Sequence, residues 1–366
     1  MVAGLSAVAA YNCRLWQRDK ALLASLSTPE SSPPLESWPE LPLVSVLVAA
    51  WNEGASIERH IESFLALRYP RKELVLCAGG TDGTYGLAQR HAGPPVTLLK
   101  QRRGEGKQRA LAHCLPLARG EIIFLTDADC FLDDEAFERT LAPVAARKEQ
   151  VCTGGSRPCA DQAHSPFVMA QAASQTYSSM QTPDYAPGLL GRNCALRREL
   201  LEGSRGLLEW APTGTDYVLA KTLARAGVAI RQMPSSRVET AFPRTPCAYA
   251  RQQERWLANV LIHGLRFGAY GEAIRSLIPP AIGAGMLLGP LAAWRWGPAA
   301  LAVWLLAWTH VLFSRVRYAR FSELLTGQHV GPAGYLWLPV HVLLDFVVWA
   351  WAPARHLLKK RARTRW

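Results

Sequence analysis

Gly120 to Cys130 reads GEIIFLTDADC, and the fold turns on this stretch. Ile122, Ile123, Phe124 and Leu125 form a short unbroken apolar run, which predicts a strand covered on both faces. Thr126 closes the run, and Asp127 and Asp129 follow with Ala128 between them. In an open α/β sheet a ligand lies outside the carboxyl ends of the strands, so both aspartates are expected at that edge. Carboxylates this close repel unless protons or a cation intervene. Hard oxygen donors suit Mg2+ or Mn2+, which commonly shares its remaining positions with substrate phosphates. The chemistry this predicts is a metal clamp for a diphosphate. The plainer alternative is a polar strand-to-helix turn, with Asp133 and Asp134 capping the next helix. A D-x-D alone favours the plainer alternative, because short motifs recur by chance, and its neighbours reverse that preference.

Outward from this stretch the pattern alternates. Strands are expected at Val44 to Ala50, Glu73 to Ala78, Val96 to Lys100 and Val151 to Ser156. Helices are expected at Ser56 to Leu67, Thr84 to His91, Lys107 to Leu117 and Glu135 to Ala146. Strand and helix in strict turn imply an α/β fold with a mostly parallel sheet, right-handed crossovers and helices on both faces. After Arg157 the order loosens, with a helix expected near His164 to Met180.

Several stretches carry candidate chemistry. VSVLVAAWNEG puts Asn52 and Glu53 at the end of the first strand, where such a sheet meets a nucleotide. CAGGTDGT, residues 77 to 84, lacks the G-x-G-x-x-G spacing of a dinucleotide fold, so its glycines read as a tight turn and Asp82 as a structural cap. KQRRGEGKQRAL brings Lys107 to a helix start, where amide dipoles and a cation favour phosphate. No Ser or Thr follows the lysine, which rules out a P-loop, and a solvated basic turn is the alternative. GTDYVLAKTLARAG sets Asp216 in the first turn of a helix ending near Gly227, where a carboxylate can simply serve the helix dipole. In YARQQERWLANV, helical spacing puts Gln252 near both Arg255 and Trp256, although an ordinary amphipathic helix with Trp256 packed inward gives the same pattern.

The 366 residues are enough for one large catalytic domain and a smaller part. Beyond Leu277 the chain turns apolar and Trp-rich, and Leu277 to Ala293, Pro298 to Phe313 and Ala333 to Trp351 read as membrane segments. Trp294, Trp296, Trp304, Trp308, Trp337, Trp349 and Trp351 include several at segment ends, as interfacial belts do. Val260 to Ile274 is amphipathic and suits the membrane interface. Met1 to Ala10 is too short to span and is expected to be an anchor stub. Three crossings from a cytoplasmic catalytic domain would leave the basic tail outside. The last segment, with His341, Asp345, Pro332 and Pro339, is therefore expected to be non-spanning or protein-covered.

The net charge of +12 comes from 41 Lys and Arg against 29 Asp and Glu. Arg14, Arg18 and Lys20, then Arg315, Arg317 and Arg320, then Lys359, Lys360, Arg361, Arg363 and Arg365 flank apolar segments, which suits anionic lipid head groups. No nucleic-acid module is visible, and nucleic-acid binding is not expected. The eight cysteines (Cys13, Cys77, Cys114, Cys130, Cys152, Cys159, Cys194, Cys247) have no C-x-x-C spacing and read as reduced core residues in a cytosolic compartment.

The ordered set VSVLVAAWNE, GEGKQRAL, LTDAD, GRNCALRR, TDY and QQERW resembles the membrane-bound family 2 glycosyltransferases of GT-A fold, across about Leu43 to Leu265. The resemblance implies that Asp129 is the direct metal ligand and Asp127 a further ligand or a contact to the donor sugar or ribose. It makes Asp216 the catalytic base, and has Gln252, Arg255 and Trp256 hold the diphosphate and close over the acceptor. Two motifs depart from the family pattern. Cys77 and Ala78 stand where paired aspartates often bind the base, and Thr215 replaces the Glu of the T-E-D motif. DYVLAK is closer to ceramide glucosyltransferase-like members than to cellulose-type synthases, which points to a lipid acceptor. The implied division is an anchor stub over 1–20, a linker over 21–42, the GT-A domain over 43–259, an interface helix over 260–276, membrane segments over 277–353 and a basic tail over 354–366.

The expected activity is inverting transfer of a hexose from a nucleotide diphosphate sugar, with UDP as the expected carrier, to a membrane lipid, using Mg2+ or Mn2+. A processive polysaccharide synthase is the alternative of the same class. A non-catalytic membrane scaffold or transport component is the alternative of another class, and it leaves the coincidence of Asp129, Asp216 and Arg255 unexplained.

Overall fold

A computed structural model describes residues 2–26, 35–38, 40–182, 184–204 and 213–358. Residues 27–34 and 39 of the expected linker and the basic residues from Lys359 onward lie outside them. In chain order the elements are α1 (Val2–Leu26), β1 (Val44–Trp51), α2 (Ile57–Ala66), β2 (Lys72–Gly79), α3 (Thr84–Gln89), β3 (Val96–Lys100), α4 (Gly106–Cys114), β4 (Ile122–Leu125), β5 (Cys130–Phe131), α5 (Asp134–Ala145) and β6 (Val151–Pro158). Then come α6 (Pro166–Ser179), β7 (Cys194–Arg197), α7 (Arg198–Ser204), α8 (Thr215–Arg225), β8 (Arg231–Thr240), α9 (Pro246–Arg266), α10 (Tyr270–Arg275), α11 (Ile278–Trp296), α12 (Pro298–Thr326) and α13 (Gly331–Leu358). The chain forms two compact units. The sheet unit runs to Cys159 after the N-terminal helix and adds Thr182–Ala241. The helical unit combines that helix with Ala160–Gln181 and the chain from Phe242.

In the sheet unit eight strands lie in the order β3-β2-β1-β4-β7-β6-β8-β5. β1 pairs in parallel with both β2 and β4, β2 with β3, and β6 with β8. β7 runs antiparallel between β4 and β6, and β5 antiparallel to β8. Period-two alternation splits the strands between two cores. Val44, Val46, Val48, Leu74, Leu76, Ile122 and Phe124 meet Ile57, Ile61 and Phe64 of α2 and Phe137 and Leu141 of α5. Leu47, Val75, Cys77, Ile123 and Leu125 meet Leu111 and Cys114 of α4 and Leu219 and Leu223 of α8. Helices therefore cover both faces, as the apolar strands require. Burying each large side chain contributes about 1.5 to 3 kcal/mol. Asp133 caps α5 as expected, accepting from the Ala136 amide.

Apart from the two-residue β5, which was not expected, the expected alternation holds as far as β6. The loosened region beyond Arg157 contains two strands that sequence reasoning missed, β7 and β8. CALR is too short to show a period, and β8 carries Pro234 and scattered polar residues.

In the helical unit, Tyr270–Trp296, Pro298–Thr326 and Gly331–Ala352 are long and apolar enough to cross a membrane. Three boundaries differ from expectation. α1 continues to Leu26, past the expected stub end at 20, because Leu23 and Leu26 pack with Phe321 and Met180. The separate amphipathic helix over 260–276 is not formed. α9 runs unbroken from Pro246 through Arg266, and the break comes at Phe267 to Ala269, where Gly268 adopts φ +71° before the short α10. The expected domain end at 259 thus falls inside a helix, and all of α9 belongs to the helical unit. α13 is continuous, and His341 and Asp345 within it are fully buried by protein.

Candidate active site

The site is built at the carboxyl edge of β1 and β4, parallel neighbours, where β4 stops and β1 runs on to Trp51. Leu47 pairs with Leu125, so the residues after each strand emerge on one edge. β7 enters at that same edge because it runs antiparallel to β4, with Cys194 opposite Leu125. Gly191 and Arg192, just before β7, are thereby brought to Thr126 and Asp127, just after β4. The Thr126 hydroxyl donates to the Arg192 carbonyl at 3.0 Å.

Asp127, Asp129 and Cys130 offer ligand atoms within 4.8 Å of one another. Cys130 is not a convincing donor. Its sulfur is fully buried, 3.4 Å from Thr240 Oγ1 and 3.6 Å from Asp129 Oδ1, and burial first, then the acidic neighbours, push the thiol well above its ordinary range. Two hard carboxylates on one turn remain, and they fit Mg2+ or Mn2+. Burial and the Asp127 charge push the Asp129 carboxyl upward, a conflict that a cation would relieve.

Lys107, in the first turn of α4, reaches both acids. Its Nζ is 2.6 Å from Asp127 Oδ1 and 3.3 Å from Asp216 Oδ1. Burial works against the ammonium charge, but Asp127 and Asp216 outweigh it and hold the group above its ordinary value. Asp216 lies in the first turn of α8, after Gly214 at φ +69°. Its carboxylate rests on Gly191, where an added Cβ would fall 2.1 Å from Oδ1. Asp127, Lys107 and Asp216, distant in sequence, thus meet at one point.

Glu53 follows β1. Burial, then the charge of Asp129, pushes its carboxyl up to about 7, although Ser56 Oγ donates to it at 3.2 Å. Asn52 has φ +59°, and its side-chain oxygen accepts from the Thr81 amide at 2.8 Å, so it ties the loop after β1 to the loop after β2. Gly80 permits that approach, since a Cβ there would lie 2.3 Å from Asn52 Oδ1. Asp82 is structural, as expected: it accepts from the Gly54 amide and from both the amide and hydroxyl of Thr84. Cys77 and Ala78, at the departure from the family pattern, are fully buried.

Sequence reasoning missed Arg192. Its guanidinium faces Cys130, Asp127, Asp129 and Asp216, whose acidity outweighs burial and raises it. The signal was present in GRNCALRR, but only the antiparallel pairing of β7 shows which of its residues reaches the acids. Asn193 beside it is fully buried. Its Nδ2 donates to the Gly155 carbonyl at 3.1 Å and Ser236 Oγ at 2.9 Å, and its Oδ1 accepts from Thr140 Oγ1 at 3.1 Å.

Gln252, Arg255 and Trp256 lie on α9 in the helical unit, with Arg255 exposed and the other two half-buried. Trp256 shares a helical stripe with the buried Tyr249 and His263.

The family model Glycosyltransferase like family 2 matches residues 40–259. A 113-residue stretch is 32% identical to the putative glycosyltransferase EpsE of Bacillus subtilis, covering 30% of this chain and 39% of that protein. Another of 98 residues is 33% identical to a poly-beta-1,6-N-acetyl-D-glucosamine synthase of Staphylococcus epidermidis, covering 25% of this chain and 23% of the relative. A third of 96 residues is 38% identical to the beta-monoglucosyldiacylglycerol synthase of a Nostoc species, covering 24% and 20%. The chain thus spans well under half the length of these relatives. Its fold is similar to that of the mannosyltransferase PcManGT from Pyrobaculum calidifontis, solved with GDP-Man and Mn2+. The TM-score is 0.53 at 21% identity, over 90% of this chain and 98% of that one. With the matched region covering more than half of its residues, the chain belongs to the glycosyltransferase like family 2.

Proposed function

We propose that this enzyme transfers a single hexose, with inversion, from a nucleotide diphosphate sugar to a hydroxyl of a membrane lipid. The observation that supports this reading is the shared contact of Lys107 with Asp127 and Asp216, which brings the two carboxylates to one cation. Asp216 accepts the proton of the acceptor hydroxyl as that oxygen attacks the anomeric carbon. Asp129 and Asp127 would hold Mg2+ or Mn2+. When bound, the cation supplies positive charge facing the departing diphosphate. Lys107 and Arg192 add fixed positive charge on the same side. Asn52 and Glu53 shape the donor end of the site, and Gln252, Arg255 and Trp256 close on the diphosphate and acceptor.

A lipid acceptor is supported by the likeness to a glucosyldiacylglycerol synthase and by three helices long and apolar enough to cross a bilayer. The likeness to a poly-N-acetylglucosamine synthase favours a second reading, a processive synthase of sugar polymer. The catalytic domain is cytoplasmic in this proposal, an orientation that the exposed Arg14, Arg18, Lys20 and Arg320 beside the apolar helices support.

The deciding assay incubates membranes holding the full chain with a panel of labelled nucleotide sugars, with and without chelator, followed by lipid extraction. Label is expected in the lipid phase and is expected to vanish on chelation. Label in a water-soluble polymer would establish the second reading, and no transfer from any donor would refute both. Asp216→Asn is expected to lower turnover about 10²- to 10⁴-fold while donor binding is retained, the usual contribution of a positioned base. Unchanged turnover would remove Asp216 from the mechanism.

A further inference from the structure

A second cluster of ionisable side chains lies inside the helical unit. Asp345 of α13 is fully buried, and Arg315 of α12 and Tyr249 of α9 are nearly so. The Arg315 guanidinium donates to Asp345 Oδ2 and the Tyr249 hydroxyl to Asp345 Oδ1, each at 2.5 Å. Arg315 also donates to Ser174 of α6 at 2.8 Å and lies over the Trp349 ring. Tyr249 is held edge-on to Phe167 of α6, and the fully buried His341 stands 5.3 Å from its ring. One carboxylate therefore ties together helices α9, α12 and α13, with α6 joined through Arg315.

Ionisable groups inside a membrane-facing bundle are costly and persist where they hold partners in a defined arrangement. A buried ion pair gives little net stability over apolar packing, and its best-attested use is to fix register. The register fixed here is that of α9. Tyr249 is the only described residue of α9 between Pro246 and Leu261 that is buried. It lies three residues before Gln252 and seven before Trp256, on one helical stripe, with Arg255 off that stripe and exposed. Rotation or axial sliding of α9 would break the Tyr249 contact and turn Gln252, Arg255 and Trp256 together.

We infer that Asp345, braced by Arg315, clasps Tyr249 and sets the rotation of the α9 helix, making Tyr249 and Asp345 positioning residues for the diphosphate contacts of Gln252 and Arg255. The link to the diphosphate rests on the function proposed above. The clasp itself does not.

The test uses Tyr249→Phe, which keeps the ring between Phe167 and His341 and removes only the hydroxyl. Tyr335→Phe is the control, because it removes a hydroxyl that donates to Glu323 at 2.9 Å between α13 and α12 without touching α9. Full chain in lipid nanodiscs is measured by amide hydrogen exchange over residues 250–260 and by titration with UDP and with GDP in the presence of Mn2+. In Tyr249→Phe, exchange of these amides is expected to rise about 10-fold and binding of the preferred nucleotide to weaken about 10-fold, the scale of a lost hydrogen bond to a charged group. The control is expected to change neither. Asp345→Asn, which keeps the shape and removes the charge, is expected to reproduce both effects. Unchanged exchange in Tyr249→Phe overturns the clasp. Raised exchange with unchanged nucleotide affinity overturns its link to the diphosphate. If wild-type chain binds neither nucleotide, the functional reading fails and exchange alone decides the clasp.

Discussion

Lys107 Nζ contacts carboxylates that lie 20 residues downstream and 109 residues downstream, and that geometry makes the site sensitive to single atoms. Gly191 is the sharpest case. A methyl group there would fall 2.1 Å from Asp216 Oδ1, so Gly191→Ala is expected to displace the carboxylate and lower turnover at least 10-fold while nucleotide binding persists, seen as a fall in kcat with little change in donor KM. Glu53 gives a pH signature. Its carboxyl lies near 4.5 unfolded and near 7 folded, so the folded state favours the protonated form. Below about pH 4.5 this costs nothing. As pH rises toward 7 the unfolded chain ionises first, and stability falls by up to roughly 3 kcal/mol. Melting of the full chain in detergent without divalent cation is expected to drop between pH 5 and pH 7.5, and Glu53→Gln to remove that part of the drop. Asp127, Asp129, Glu53 and Lys107 were legible because each sits in a local strand-end or helix-start pattern. Arg192 was not, because it reaches the acids through a pairing 66 residues away from Thr126.

The elements that hold the site are joined by buried polar groups as much as by apolar packing. Asn193 bridges α5, β6 and β8 through Thr140, Gly155 and Ser236, and so fixes the turn that carries Gly191 and Arg192. Asn193→Ala would strand several buried partners and is expected to cost roughly 2 to 4 kcal/mol, measured as a lowered melting temperature. α1 is held in the same manner. Asp19 pairs with Arg317 of α12 at 2.5 Å, with Tyr177 of α6 within reach of both, and Asn12 meets His310 at 3.2 Å. Breaking that buried pair by Asp19→Ala leaves the Arg317 charge without its carboxylate and is expected to destabilise the helical unit by about 3 to 5 kcal/mol, read from the same melting curve. The apolar periods of β1 to β4 and α2 to α5 foretold those elements. The extent of α1 and the continuity of α9 were not foretold, because buried partners such as Phe321 and Asp345 lie some 300 and 100 residues away.

At the scale of the whole chain, the two units are interleaved in sequence: α6 leaves the sheet-forming stretch to join the helices. Membrane association follows from three apolar spans and is expected to resist extraction at alkaline pH. The cysteines offer a direct report on sidedness. Cys13 and Cys247 are exposed, and the other six are buried and outside any disulfide. In the proposed orientation, an impermeant maleimide is expected to label Cys247 in inverted vesicles and not in intact cells, with the buried thiols silent until denaturation. Labelling of Cys247 from the outside would reverse the orientation.

The alternation of apolar strands and amphipathic helices, the acid-tipped strand and the late apolar spans were set by sequence alone, since each depends on contacts between residues close in the chain or on local hydropathy. The meeting of Lys107, Asp127, Asp216 and Arg192, the assignment of α6 and α9 to the helical unit, and the buried Asp345 cluster came only from tertiary structure. Strand order, antiparallel insertion and helix packing join residues that no periodicity relates.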